Sequence, residues 1–299
     1  MHAIWQTAAT AAHRLSTARP AYAAAALALY IVSLFIAGAR WRGFLRALGA
    51  EAGVVRATLA TLGGIAAGNL APTPGGEAVR ITLLRAGTAA TWRQATLAAV
   101  WDRTSELPPI LVLGGMTLVA VRSLAAGWRT AAIVAGVAVT AAAAGVVLWR
   151  ARRSGSLSIG WKPRATGERV RAAVFAQGVG YSSLLWLQDY LRLTSVLLAF
   201  GVVLPPTQIA TLSILAMLGG LVPAIAGLGP VEGGLVAGLM AFGVDLPTAA
   251  AVTALERSIS YGFSTSAGAV VIATLGGGSI WQALRGRYAP ESEADAARS

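Results

Sequence analysis

The chain has 299 residues, of which 56% are hydrophobic and only 12% are charged, and its formal net charge at pH 7 is +12. Soluble globular domains carry about 25% charged residues, so this composition excludes an ordinary soluble domain and predicts a polytopic membrane protein. Cysteine is absent, and both histidines, His2 and His13, precede the first long apolar stretch. We therefore expect no disulfide, no metal, no cofactor and no catalytic residue.

Charge-free apolar stretches follow one another along the chain, and several reach the ~20 residues that a membrane-spanning helix needs. We predict an all-α fold of about six to eight transmembrane or re-entrant helices. They form a single multi-pass domain over residues 1–288, and a solvated tail follows at 289–299. The stretches cover 20–39, 57–76, 130–149, 172–188, 193–231 and 258–284.

Arginines crowd the ends of these stretches, where anionic lipid head groups lie, so membrane topology explains the net positive charge and we expect no nucleic-acid partner. The densest basic segment, 150–171, is predicted to be a cytoplasmic loop by the positive-inside rule. Tryptophans beside the ends of the stretches are expected to anchor at the membrane–water boundary. They are Trp41, Trp128, Trp149 and Trp161.

The chain repeats itself at a spacing of about 155 residues, with one repeat over about 20–121 and the other over about 172–284. Each repeat has a Gly/Pro-rich stretch, which we expect to break the helix, then a glutamate, and then an acid–arginine pair. Matching interruptions in two halves are typical of the discontinuous helices of transporters. The alternative is that these residues serve close helix packing. The predicted hinge or re-entrant residues are Pro72, Pro74, Gly75, Gly76, Pro223, Gly227, Gly229 and Pro230.

Several charged residues interrupt the apolar segments, at a cost of about 2.5–3.5 kcal/mol each at the bilayer centre. They must therefore be paired, hydrated or near the interface. Opposite charges three residues apart share a helix face. For Asp189 with Arg192, a structural ion pair and a role on a substrate path are both compatible with the spacing. The pairs are Glu77 with Arg80, Arg103 with Glu106, and Asp189 with Arg192.

Two motifs carry a family resemblance: GNLAPTPGGEAVR at 68–80 and WDR at 101–103. Together with the second-half residues from Pro223 to Glu232 and the Glu256–Arg257 pair, they resemble the lysylphosphatidylglycerol synthase transmembrane-domain family, also described as flippase-like membrane proteins. The resemblance implies a multispan lipid translocase of the bacterial inner membrane. Two-domain members also carry a soluble aminoacyl-transferase domain, which this chain lacks, so we expect no aminoacylation of lipid.

The leading hypothesis is a flippase in which the two broken segments form a polar cavity for the anionic head group of a phospholipid or a polyprenyl phosphate type of lipid. Arginines would bind the phosphate, and carboxylates would gate the cavity or pair with the arginines. The alternatives are an intramembrane lipid-modifying enzyme and a non-catalytic component of a lipid or glycolipid synthesis complex. The lipid, the direction, the energy source and homo-oligomer formation stay open. The predicted substrate-binding residues are Asn69, Glu77, Arg80, Asp102, Arg103, Glu106, Glu232, Glu256 and Arg257.

Overall fold

The computed structural model describes residues 2–70, 74–120, 165–221 and 229–276. Within these ranges every regular element is helical and none is a strand, which confirms the predicted all-α fold. The number of membrane crossings stays a prediction. Several predicted features lie outside the described residues: Pro72, Pro223, Gly227, residues 150–164 of the basic segment, and the tail at 289–299.

The first part of the chain contains α1 His2–Ser16, α2 Pro20–Ala47, α3 Val54–Leu70, α4 Pro74–Arg85, α5 Trp92–Thr104 and α6 Leu107–Ala120. The second part contains α7 Ala165–Ala199, α8 Pro206–Leu221, α9 Pro230–Ala241, α10 Leu246–Arg257 and α11 Ser264–Val271. A π-helical segment, Ser258–Phe263, joins α10 to α11, and another, Ile272–Gly276, follows α11. Among the described helices, α2 and the continuous helix Leu246–Gly276 are long and apolar enough to cross a membrane.

Local sequence explains where several helices begin. Proline is the first residue of α2, α4, α8 and α9, a position where its missing N–H is not needed and its fixed φ suits the helix. Thr91 and Gln94 form a capping box at α5. Asp245 caps α10 by accepting hydrogen bonds from the hydroxyl and the backbone N–H of Thr248, and these bonds hold the pKa of Asp245 below its usual value.

The order of helices repeats, and so do their contacts. The succession α2 to α6 returns as α7 to α11, and α3 packs on α4 as α8 packs on α9. The last helix of each repeat packs on the other repeat: α11 contacts α3, and α6 contacts α8. Helices α2 and α7 also pack on each other. These contacts are those expected of two repeats related by an approximate two-fold axis that passes between α2 and α7.

Glycines within α3 pack helices together and do not interrupt this helix. The helix runs through Gly63, Gly64 and Gly68 to Leu70. A Cβ at Gly64 would lie 2.6 Å from the Cβ of Arg80, so only glycine allows α4 to approach this closely.

Predicted hinge residues lie at the starts of α4 and α9. Gly75 and Gly76 lie in the first turn of α4, directly after Pro74. In the second repeat, Gly229 adopts a φ of 97°, which favours glycine, and Pro230 begins α9. Helices α4 and α9 each have 12 residues. Each is therefore roughly 18 Å long, well short of the ~30 Å of hydrocarbon in a bilayer.

Candidate functional site

Asp102 is the centre of a buried charge cluster in the first repeat. Its carboxylate accepts hydrogen bonds from Arg40 Nε of α2 at 2.7 Å and from Arg80 Nη1 of α4 at 2.8 Å. The Asp102 side chain is 1% exposed, and both arginine side chains are 4% exposed. Two cations thus share one buried carboxylate, and Arg40 also donates to Glu106 at 2.6 Å and to Ser182 of α7 at 2.8 Å.

Arg103 lies on the exposed side of the same cluster. Its Nε donates to Glu77 Oε1 at 3.0 Å, its Nη2 contacts the same oxygen, and its Nη1 lies 3.6 Å from Glu106 Oε1. With 61% of the side chain exposed, Arg103 is the accessible arginine of this cluster. Glu77 lies in the first turn of α4, where the positive end of the helix dipole favours a carboxylate.

Arg80 is held between Asp102 and the ring of Trp41. Its Cζ lies 3.9 Å from the ring centroid, and its Nη1 lies 3.6 Å from Glu77 Oε2. Trp41 is fully buried, so the expectation that it anchors at the membrane boundary is wrong: the ring instead forms a cation–π contact inside the protein. The Nε and Nη2 atoms of Arg80 are buried and have no hydrogen-bond partner among the described residues.

The second repeat contains a corresponding cluster around Glu256. Arg192 Nη1 donates to Glu256 Oε1 at 2.5 Å, and Arg192 Nη2 donates to Asp189 at 3.0 Å. Ser260, in the π-helical segment, donates to the other Glu256 oxygen at 3.3 Å. The Arg192 guanidinium lies 5.5 Å from the ring centroid of Tyr30 on α2.

Arg257 and Glu232 reproduce the link between Arg103 and Glu77. Arg257 Nε donates to Glu232 Oε1 at 2.7 Å. The other oxygen of Glu232 accepts the backbone N–H of Gly229 at 2.7 Å, which caps α9. In both repeats an arginine that follows a buried acid therefore bonds a glutamate in the first turn of a short helix.

Contacts between α2 and α7 link each cluster to the opposite repeat at corresponding positions. A shift of 152 residues carries Arg40 onto Arg192 and Tyr30 onto Ser182. Arg40 of α2 meets Ser182 of α7, and Arg192 of α7 meets Tyr30 of α2. This reciprocity is what a two-fold relation requires, and it connects each cluster to the opposite repeat.

The clusters differ in composition. The first repeat places Arg80 and Trp41 where the second has Leu235 and Leu193, so the second repeat has no counterpart of the stacked arginine. The first cluster balances three arginines against three carboxylates. The second has two arginines, Arg192 and Arg257, against the three carboxylates of Asp189, Glu232 and Glu256.

Asn69 joins the end of α3 to the opposite repeat, and among the described residues its side chain bonds no member of either charge cluster. Its amide donates to Ser264 Oγ at 3.2 Å and to Thr265 Oγ1 at 2.9 Å. The Tyr261 hydroxyl donates to the Asn69 carbonyl at 3.1 Å. A π-helical segment often marks a functional position, and here it brings Tyr261 to the end of the α3 helix.

Sequence reasoning paired the residues three apart, and the structure contains all three of those pairs. It missed the contacts of Arg40 with Asp102 and Ser182, and the contact of Arg192 with Glu256. The two residues of each of these contacts lie 62 or more positions apart in sequence. The charge of Arg40 beside a long apolar stretch was the available signal, but it indicated a membrane boundary equally well. Among the described residues no group of His, Asp or Glu has the arrangement of a metal site.

Comparison with known proteins agrees with the resemblance of the motifs. A family model described as the lysylphosphatidylglycerol synthase TM region matches residues 3–268. The chain is 27% identical over 296 residues to a UPF0104 membrane protein of Methanothermobacter thermautotrophicus, with 88% of each chain covered. No solved structure matches the chain. The predicted family is thereby confirmed.

Proposed function

Since the chain belongs to the family of the lysylphosphatidylglycerol synthase TM region and is a membrane protein, we propose that it translocates an anionic lipid from one membrane leaflet to the other. The substrate is a phospholipid or a polyprenyl-phosphate-linked lipid. The protein acts as a multi-pass component of the bacterial inner membrane. Its reaction changes the position of the lipid and leaves its covalent structure intact.

The observation that carries this proposal is the duplicated link between a glutamate and an arginine at the starts of α4 and α9. Both short helices belong to hairpins, α3–α4 and α8–α9, which we place in the membrane as re-entrant segments. Polar groups at that depth must be shielded by protein or line a hydrated cavity. The two hairpins thus supply a polar route for a head group while the lipid chains stay in the hydrocarbon.

Arg103 makes the first contact with the lipid phosphate in this mechanism, because its side chain is exposed and its guanidinium can hold a phosphate with two parallel hydrogen bonds. The phosphate competes with Glu77 for the same donors. Arg80, whose buried Nε and Nη2 have no partner among the described residues, adds a second positive charge behind it. In the other repeat, the phosphate competes with Glu232 for Arg257 in the same way.

The test is translocation of fluorescent phosphatidylglycerol in proteoliposomes, measured by chemical quenching of the probe in the outer leaflet. The Arg103→Ala variant should slow translocation by about tenfold or more, since a charge-assisted hydrogen bond contributes about 1.5–3 kcal/mol. Arg46→Ala is the matched control, because Arg46 is an exposed arginine in the last turn of α2 outside both clusters. An unchanged rate for Arg103→Ala would refute the proposed role.

Mass spectrometry of the lipids recovered from the same vesicles separates translocation from lipid modification. The masses should be the same before and after incubation with the protein. A new lipid mass that depends on Asp102 or Glu256 would overturn the translocase and favour an intramembrane enzyme that uses carboxylates as general acid or base.

A further inference from the structure

An apolar groove runs between α6, α7 and α8 and encloses about 390 Å³. Its volume falls within the ~300–1,000 Å³ of typical small-molecule sites. Two serine side chains interrupt its otherwise apolar and aromatic walls. The lining residues are Pro108, Pro109 and Val112 of α6, Val179, Ser183, Trp186, Leu187 and Tyr190 of α7, and Ala210, Ser213 and Ile214 of α8.

The rim of the groove is apolar as well. Leu111 and Val112 are 64% and 62% exposed, and Leu187 on the facing helix is 50% exposed. In a membrane protein such surfaces face hydrocarbon, and water has no polar partner there. The groove therefore opens toward lipid chains, which are the expected occupants.

One wall of the groove continues directly into the first charge cluster. Ser183 lines the groove, and its neighbour Ser182 accepts a hydrogen bond from Arg40. Pro108 at the start of α6 follows Glu106, which pairs with Arg40 and Arg103. A lipid whose chain lies in the groove can thus place its head group beside these charges.

The corresponding position on the other side of the two-fold axis is closed. There Phe263 and Tyr30 meet edge to face with ring centroids 6.2 Å apart. Their counterparts beside the groove are the smaller Pro109 and Ser182, at shifts of 154 and 152 residues. The smaller side chains leave space where the opposite repeat is filled.

Matching glycines show the same difference between the two sides. A Cβ at Gly268 of α11 would lie 2.5 Å from the Leu62 carbonyl oxygen, so α11 and α3 are in close contact. Its counterpart Gly114 of α6 has no neighbour within 4 Å of the same position in the part of the chain that the structure describes. The space between α6 and α8 is therefore a local feature of this side and not a general consequence of the fold.

We propose that the groove between α6, α7 and α8 binds one hydrocarbon chain of the lipid whose head group contacts the charge cluster around Arg40, Asp102 and Arg103. This inference rests on the proposed function for the identity of the lipid. The groove selects the lipid by its chain, while the arginines select it by its phosphate.

Photocrosslinking tests the groove directly. The probe is phosphatidylglycerol with a diazirine on one acyl chain, in phosphatidylcholine proteoliposomes that contain the full chain. After illumination, peptide mapping should place the label on the groove-lining residues of α6, α7 and α8. The exposed apolar residues Val32 and Phe35 of α2 serve as internal controls for ordinary lipid contact.

A matched pair of substitutions on α7 adds a test of occupancy. Ser183→Trp fills the groove, whereas Ser195→Trp places the same ring outside it. Both serines donate to the carbonyl oxygen four residues earlier, so the two substitutions remove the same local hydrogen bond. Groove labelling should fall about tenfold in Ser183→Trp and stay unchanged in Ser195→Trp.

The outcomes separate this inference from the proposed function. Equal labelling of the groove and of the Val32–Phe35 face in the unsubstituted protein would refute the proposal that the groove binds a lipid chain. This holds whatever the result for the Ser183→Trp variant. Translocation that continues at the normal rate in folded Ser183→Trp would also count against it. Groove labelling without any translocation would support the groove and refute the translocase.

Discussion

Asp102→Ala should destabilise the protein strongly, because it leaves two buried guanidinium groups without their shared carboxylate. Loss of one partner from a buried ion pair costs about 3–5 kcal/mol, since the remaining charge is uncompensated in a medium of low polarity. That is a large part of the ~5–15 kcal/mol by which native proteins are stable. Arg40 keeps Glu106 at 2.6 Å, whereas Arg80 keeps only the longer contact with Glu77 at 3.6 Å, so Arg80 bears most of the cost.

The equivalent substitution in the second repeat provides the control. Glu256→Ala removes a carboxylate that accepts from Arg192, but Arg192 retains Asp189 at 3.0 Å. Asp189 is 46% exposed, so the protein encloses this pair less completely than it encloses Asp102 and its two arginines. We expect a loss of about 1.5–3 kcal/mol, the contribution of one hydrogen bond to a charged group.

Thermal unfolding in lipid nanodiscs, followed by the fluorescence of the nine tryptophans, measures both losses. At about 2–4 °C per kcal/mol, Asp102→Ala should lower the midpoint by roughly 6–20 °C and Glu256→Ala by less. Adding Arg80→Leu, which copies Leu235 of the second repeat, should recover part of the loss and give a coupling of about 0.5–3 kcal/mol.

Two results would refute this reasoning. One is an Asp102→Ala midpoint that matches the unsubstituted protein. The other is a Glu256→Ala loss as large as that of Asp102→Ala, since the structure gives the first carboxylate two buried arginines and the second carboxylate one.

Two further predictions concern packing and helix capping. Gly38→Ala should cost about 1–3 kcal/mol in thermal unfolding, because its Cβ would lie 2.7 Å from the Thr58 backbone nitrogen. Gly43→Ala on the same helix should be tolerated, because its Cβ would meet none of the described residues within 4 Å. Asp245→Ala should cost about 0.5–2 kcal/mol through loss of the α10 cap. Because the folded pKa of Asp245 is lowered, its stabilisation is present above the unfolded pKa near 4 and is lost as the pH falls through the folded pKa. Asp245→Asn should keep a cap without this acid dependence, and a denaturation series between about pH 6 and pH 3 measures the difference.

The sequence alone determined the all-α membrane class of the protein and the local ion pairs. These features depend on composition and on spacing along one helix, as with Asp189 and Arg192, which the structure places 3.0 Å apart. The start of α9 at Pro230 followed equally from local backbone preferences. All of these properties involve residues that are close together in the chain.

Tertiary structure decided which charges meet across helices and which glycines pack. Arg40 finds Asp102 at a separation of 62 residues, and no spacing rule relates residues on different helices. Trp41 resembled a membrane-boundary residue in the sequence, yet the approach of α4 places it under the Arg80 guanidinium. The groove likewise depends on how far α6 lies from α8, and a helix-to-helix distance is set by the side chains of both partners together.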